Sequence, residues 1–313
     1  MDDAYGVERF RAAAGLLPYD LRQGAERLPE RDKAGAEEFR LRLGRPPMVS
    51  GLWGERPLPG FERTPIRGGD LALVLEVASQ ASAHTVLDRV RSGFVTVRGG
   101  HRLGLCGSAV VKDGEVYNLR HLSSIAIRIA KEVPDAAGPV LPRLLDGEGR
   151  LVSTLILSPP GGGKTTLLRD LVRRVSDGLG TVPLRVGLAD ERGELAALCD
   201  GEPQMDVGAR TDVMDGCPKG AGLLMLLRGM NPQVLAADEI TDPADAAALE
   251  QAAGCGVTLL GTAHGGGAVD LWTRPIYRRL MEARLFRRVV FIRAEGGRRR
   301  YEVSDLEGEG APC

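Results

Sequence analysis

Net charge of either sign is missing from this 313-residue chain: 41 Lys and Arg against 42 Asp and Glu leave −1. No global positive excess therefore recruits nucleic acid, and no stable nucleic-acid partner is expected. The local basic clusters, Arg298-Arg299-Arg300 and the pairs Arg278-Arg279 and Arg287-Arg288, read as solvated faces around C-terminal strands. Cysteine is scarce, with five residues at 106, 199, 217, 255 and 313 and no C-x-x-C spacing. That argues against a disulfide framework or a ligand set and fits reduced, core-filling thiols in a cytosolic compartment. No apolar run reaches the about 18 residues that a bilayer-spanning helix needs. The opening MDDAYGVERF is acidic and has no apolar stretch, so no secretory leader is expected. Internal repeats and low-complexity tracts are also absent, and the length suits two domains.

One further absence is local. STLILSPPGGGKTTLLRDLVRRVSDG, residues 153–178, resembles the phosphate-cradling pattern G-x-x-x-x-G-K-[ST], but Ser158 stands where the first glycine belongs. The chemistry needs converging backbone N–H groups, a lysine at the terminal phosphates and a hydroxyl at magnesium. Pro160, Gly161, Gly162, Gly163 and Thr166 form and flank that cradle, while Lys164 and Thr165 supply the charge and the hydroxyl. The β-branched run LVSTLIL precedes the loop as a buried strand. Leu167, Leu168, Leu171, Val172 and Val175 follow at helical spacing, with Arg169, Asp170, Arg173 and Arg174 expected on the opposite, polar face. Strand, loop and helix thus come in the order that aims a helix N-terminus at phosphate. The first position mainly shapes the turn, and serine is the next least obstructive residue there.

Along the chain, residues 1–37 read as a helical extension, 38–138 as an α+β domain and 139–313 as a P-loop domain. EFRLRLGRPPMV alternates and then meets a proline pair, which suggests an edge strand. Asp70 suits a helix cap, and a second short helix is expected within HTVLDRVRSG. GFVTVRGG, HRLGLCGSAVV, EVYNL and SSIAIRIA read as strands, with Asp113-Gly114 as a hairpin turn. The Pro/Gly-rich segment 132–150 marks a boundary. Strands then alternate with helices, at 151–157, 184–189, 233–237, 256–262 and 288–293, the pattern of a parallel α/β sheet.

PQVLAADEI ends a strand on Asp238-Glu239, an aspartate placed to hold Mg²⁺ and a glutamate placed to polarise water, with Asp242 as the cap of the next helix. VGLADERGEL ends another strand on Asp190, Glu191, Arg192 and Glu194, and TLLGTAHGGG ends a third with Thr262 and His264. In a parallel sheet these carboxyl ends line the ligand crevice. His264 reads either as a sensor of the terminal phosphate or as a structural histidine.

LLRGMNPQVLAADEITDPADAAALEQAAGCGVTLLGTAHGG resembles the core of the type II/type IV secretion ATPases. Together with GFVTVRGGHRLGLCGSAV, SSIAIRIAKE, LILSPPGGGKTTLLRDLVR, VGLADERGEL and DVGARTDVMDGCPK, it resembles the stage III sporulation protein AA family, from about residue 38 to 305. Ser158 belongs to that family's own loop; Cys255 and Gly229 depart modestly from its pattern. The resemblance implies a RecA-like ATPase domain behind an α+β domain, binding ATP and Mg²⁺ and working as a homo-oligomeric, hexameric ring. It implies a cytoplasmic protein on the mother-cell side, energising a membrane-embedded sporulation channel to the forespore. On the combined reading Lys164, Glu239, His264 and Arg128 are expected to be catalytic, Thr165 and Asp238 to hold the metal, and Asp190 and Glu191 to line the nucleotide site, with Asp190, Glu191 and His264 linking the γ-phosphate to domain movement. Arg128 is the best match to an arginine supplied from the N-terminal domain, ahead of Arg102 and Arg120; pairing with a carboxylate on its own sheet is the alternative. A small-molecule kinase would need a lid insertion, and none is evident. A DNA translocase and a slowly hydrolysing, nucleotide-gated scaffold remain as rival readings.

Overall fold

A computed structural model describes residues 3–79, 93–295 and 298–306. Of the expected helix in HTVLDRVRSG all but Gly93 lies outside the described residues, as does Cys313. The chain divides into two units, Met1–Glu132 with Cys199–Gln204, and Val133–Leu198 with Met205–Cys313.

In the N-terminal unit, helices α1 (Asp3–Ala14), α2 (Tyr19–Glu26) and α3 (Glu30–Gly35) precede β1 (Ala36–Arg42), β2 (Met48–Gly51) and β3 (Gly54–Pro57). Helix α4 (Gly68–Ser79) and strands β4 (Phe94–Thr96), β5 (Arg102–Lys112) and β6 (Glu115–Arg128) follow. The sheet is ordered β3-β2-β1-β6-β5-β4 and is antiparallel throughout. β1 is therefore an interior strand and not the expected edge. The proline pair lies beyond its end, in the turn before β2, where no ladder N–H is lost. Asp113 and Gly114, both at positive φ, close the β5–β6 hairpin. EVYNL and SSIAIRIA, expected as separate strands, are one strand, with the irregularity absorbed at His121 (φ 48°). Asp70 lies two residues inside α4 and accepts from the Arg67 N–H, so it acts from the first turn backwards. Phe10 and Ala13 of α1, Leu21 of α2 and Leu17 between them share one core with Phe39, Leu41, Leu103, Ile125 and Ile127. Helices α1 and α2 thus bury their apolar side against the sheet.

In the second unit, a 3₁₀ turn (Leu141–Leu144) leads to β7 (Thr154–Ser158), α5 (Lys164–Asp177), β8 (Val186–Asp190) and β9 (Thr211–Asp215). Then come α6 (Lys219–Gly229), β10 (Val234–Ala237), α7 (Pro243–Gly254), β11 (Thr258–His264), α8 (Ala268–Thr273) and α9 (Pro275–Glu282). Strands β12 (Arg288–Glu295) and β13 (Arg298–Asp305) complete a sheet ordered β13-β12-β7-β11-β10-β8-β9. Only the β12–β13 pair is antiparallel. β7, β8 and β10 are buried along their whole length, which is why they read as continuous apolar runs. Alternate residues feed two cores: Leu155, Leu157, Leu235 and Leu259 one face, Ile156, Val234, Ala236 and Leu260 the other. Burying each such leucine or isoleucine stabilises by about 1.5–3 kcal/mol, and that packing holds the strand ends in place.

The division between the units falls at the start of segment 132–150, and the rest of that segment packs on the second unit: Ala137, Val140, Leu141 and Leu144 are buried beside Leu167, Leu168 and Leu171 of α5. One expectation changes here. Because that segment covers α5, Asp170 is buried and not on a solvated face. Its carboxylate accepts from the Ala137 N–H at 2.8 Å and pairs with Arg173 and Arg174.

Candidate active site

The P-loop leaves the buried end of β7 and enters α5 through Gly163, which is the N-cap at φ 100°, a conformation reserved for glycine. Ser158 is buried, and its Oγ donates to the Pro159 carbonyl at 2.9 Å. A Cβ on Gly162 would lie 2.2 Å from that Oγ. Serine at the first position is therefore accommodated by a missing side chain four residues later. Pro160 and Gly161 are exposed at the loop tip, and Thr166 is half-buried in the first turn of α5.

Lys164 is buried, with its Nζ 3.2 Å from the Ser158 carbonyl, 3.4 Å from the Pro159 carbonyl and 2.9 Å from His264 Nδ1. Burial pushes its pKa down, opposed by the charges of Asp238 and Glu239. No carboxylate touches this ammonium among the described residues. It rests on neutral acceptors, the Ser158 and Pro159 carbonyls and the His264 ring, which is the fit expected of a site for an anion such as phosphate.

β11 lies between β7 and β10, so Thr262 and His264 stand beside both the loop and the acidic pair. Asp238 is held by two hydroxyls: Thr165 Oγ1 donates to Oδ2 at 2.5 Å, and Thr262 Oγ1 donates to Oδ1. Thr262 Oγ1 also accepts the Glu239 N–H at 2.7 Å. Mg²⁺ takes one or two carboxylates and completes its shell with phosphate and water, so Thr165 and Asp238 suit it.

Glu239 has φ 54°, a strained left-handed conformation for a residue with a side chain. Its Oε1 lies 2.7 Å from His264 Nε2 and its Oε2 2.5 Å from Arg192 Nη1. An ammonium has no lone pair to offer. His264 Nδ1 therefore accepts from Lys164, and Nε2–H donates to Glu239. Arg192, Glu239, His264 and Lys164 form one continuous chain of contacts. The T-x-H spacing made Thr262 and His264 legible; the partnership of Arg192 with Glu239 had no signal beyond its strand-end position.

Asp190 and Glu191 are placed differently. The buried Asp190 carboxylate accepts from the backbone N–H of Glu194 (2.8 Å), Leu195 (3.1 Å), Ala196 (2.8 Å) and Ala197 (3.3 Å). Burial raises its pKa against the lowering effect of those bonds. Glu191 pairs with the buried Lys219 at 2.7 Å, and Lys219 lies 3.7 Å from Asp245. Asp242 caps α7 through the Ala244 N–H, within a full capping box with Asp245. Arg228 lines a cleft at the opposite ends of the strands, with Gln233 and Thr258.

Arg128 lies at the exposed end of β6 in the N-terminal unit, registered against Glu38 and Arg102. Glu38 pairs instead with Arg40, and among the described residues no ion pair holds Arg128. Arg102 stacks over the Phe94 ring, its guanidinium carbon 3.5 Å from the centroid.

Comparisons with known proteins converge. The family model described as Sporulation stage III, protein AA matches residues 15–306. Stage III sporulation protein AA of Bacillus subtilis (strain 168) is 38% identical over 297 residues, covering 94% of this chain and 95% of that protein. Among solved structures, the pilus retraction motor PilT, solved with ADP, superposes with a TM-score of 0.57 at 18% identity, over 87% of this chain and 79% of its own. The Legionella pneumophila ATPase DotB gives a TM-score of 0.53 at 15% identity, over 86% and 76%. At these identities the two structures establish the fold.

Proposed function

The chain belongs to the stage III sporulation protein AA family, and on that premise we propose that it is a Mg²⁺-dependent ATPase acting as a motor in sporulation. The observation that carries this reading is the contact chain from Arg192 through Glu239 and His264 to Lys164, beside an Asp238 held by Thr165 and Thr262. Lys164 exchanges its carbonyl partners for the β- and γ-phosphates. Thr165 and Asp238 would hold the metal ion, which when bound neutralises phosphate charge. Glu239 orients the attacking water and takes its proton. His264 touches both the phosphate-binding cation and the base, so withdrawal of Lys164 towards phosphate is felt at Glu239. Asp190 acts at one remove, fixing the turn that presents Glu191 and Arg192.

The wider reading is a homo-oligomeric, hexameric ring on the cytoplasmic face, docked on a membrane-embedded channel complex between mother cell and forespore. Arg128 of the N-terminal unit would complete the site in such a ring. A nucleotide-gated scaffold is the second reading, favoured by one observation: both Glu239 oxygens are engaged, and hydrolysis needs one of them released. Phosphate release is the test, measured with Mg²⁺·ATP alone and with candidate acceptors, DNA and membrane partners, using Lys164→Ala as the blank. Lys164-dependent release stimulated by membrane partners supports the motor. Tight ATP binding without release under any condition supports the scaffold, and parent-level release by Lys164→Ala removes the site assignment.

A further inference from the structure

We propose that Arg299 is a second phosphate-binding cation of the P-loop, supplied by the same chain; this rests on the nucleotide-binding reading above. The register of the sheet places it. β12 pairs in parallel with β7 as far as Phe291 opposite Leu157, one residue before β7 ends. β12 then continues to Glu295, and Arg299 of β13 is registered opposite Ala294, three residues past Phe291. At about 3.3 Å per residue, that overhang reaches roughly 10 Å beyond the last paired residue, over the loop that leaves β7.

Strand alternation sets the direction of this exposed side chain. Tyr301 and Val303 pack against the same core as Leu167 and Leu168 of α5, and Arg299 shares their face of the strand. Its guanidinium lies on the Gly163 backbone: a Cβ built there would stand 2.8 Å from Cζ and Nε and 3.1 Å from Nη2. Gly163 is the N-cap of α5, the positive end of the helix dipole, where a cation is disfavoured. Lys164 adds a second positive charge one residue on. No ion pair joins Arg299 to a carboxylate among the described residues, whereas Arg293 and Arg288 of the same hairpin pair with Glu302 and Asp305. Among the described residues, two cations and a helix N-terminus therefore meet at one loop with no carboxylate paired to Arg299 or touching Lys164. A polyphosphate supplies that anion, and the planar guanidinium fork suits two of its oxygens.

The experiment is equilibrium binding of ATP, ADP, adenosine and inorganic tripolyphosphate to the full chain, for the parent and for Arg299→Ala, Arg299→Lys and Arg300→Ala, with folding checked by circular dichroism. Arg299→Ala should weaken ATP, ADP and tripolyphosphate together by roughly ten- to hundredfold, the worth of one charge-assisted contact. Adenosine binding should stay unchanged, Arg299→Lys should restore part of the loss, and Arg300→Ala should match the parent. Parent-like affinity of Arg299→Ala for tripolyphosphate overturns the proposal. So does an equal loss in Arg300→Ala, which assigns the effect to the hairpin, or a loss that adenosine shares, which assigns the contact to the nucleoside. A parent that binds neither ATP nor tripolyphosphate fails one step earlier, at the nucleotide reading, and takes this proposal with it.

Discussion

The two sheets use the same material to opposite ends. In the second unit the parallel strands all finish on one side. Residues remote in sequence meet there: Thr165 with Asp238, 73 residues apart, and Lys164 with His264, 100 apart. In the N-terminal unit the antiparallel strands alternate direction, so polar residues are distributed over a surface, as with Arg102 and Arg128 facing each other across β5 and β6. The contrast extends to buried bases. Lys164 is buried on acceptors it can exchange, the condition of a binding site. His101 is buried with Nδ1 accepting the Ala130 N–H, and its Nε2 has no partner among the described residues. One sheet gathers titratable side chains from remote positions, and the other spreads them over its surface.

The sharpest way to break this comparison is at Glu239. Glu239→Gln keeps the size and a hydrogen bond to His264 but removes the base, so ATP should still bind while turnover falls by roughly 10²–10⁴-fold. Equal losses of binding and turnover in a filter-binding and phosphate-release pair would make Glu239 structural, and the parallel sheet no more a site than the other. Arg128→Ala tests the other side. If the antiparallel sheet lends a cation to the reaction, hydrolysis should drop at least about tenfold with Mg²⁺·ATP affinity kept, as for a supplied arginine. Arg128→Lys should rescue little, because a point charge lacks the planar fork. Unchanged turnover per assembled subunit would leave that sheet a scaffold.

A smaller effect sharpens the account of the loop. Gly162→Ala should lower ATP affinity roughly tenfold, since its Cβ would collide with Ser158 Oγ at 2.2 Å and Ser158 Cβ at 2.7 Å. Adding Ser158→Gly removes both obstacles, leaving the Pro159 carbonyl at 3.1 Å. The double variant should therefore bind better than Gly162→Ala alone. If the two losses simply add, the serine is not what makes Gly162 necessary.

The P-loop, the acidic pair and T-x-H were legible because each is a short motif at the end of an apolar run, and their meeting follows from parallel strands. The fold class was legible for the same reason. What escaped was set by register and by packing across the chain. Arg298-Arg299-Arg300 reads as a solvated cluster, and Arg299 and Arg300 are exposed; what escaped is the overhang of β12 beyond β7 that brings Arg299 to Gly163. The alternation of Arg299, Tyr301 and Val303 was the available signal. Asp170 reads as a polar-face residue of an amphipathic helix until segment 132–150 covers it. β1 reads as an edge because its prolines are local and its partner β6 is remote.

The last comparison is between the two buried bases themselves, and pH separates them. Burial, with a lesser push from the Arg9 charge, lowers the pKa of His101 from 6.5 to about 3. The folded chain therefore keeps this imidazole neutral where the unfolded chain protonates it. Between those two values the unfolded state binds more protons, so stability is fully present above pH 6.5 and is lost as pH falls towards the folded value. For one such group the loss is about 1 kcal/mol between pH 6.5 and pH 5.5. His101 is one of four histidines in the chain, so the comparison that isolates it is parent against variant. His101→Gln removes the titration, and its denaturant-derived stability should be flatter than the parent's across the same interval, whatever its absolute value. Parallel profiles for parent and variant would mean that His101 takes up its proton in the folded state, on Nδ1, with the Ala130 N–H bond broken and the N-terminal core opening enough to solvate the cation.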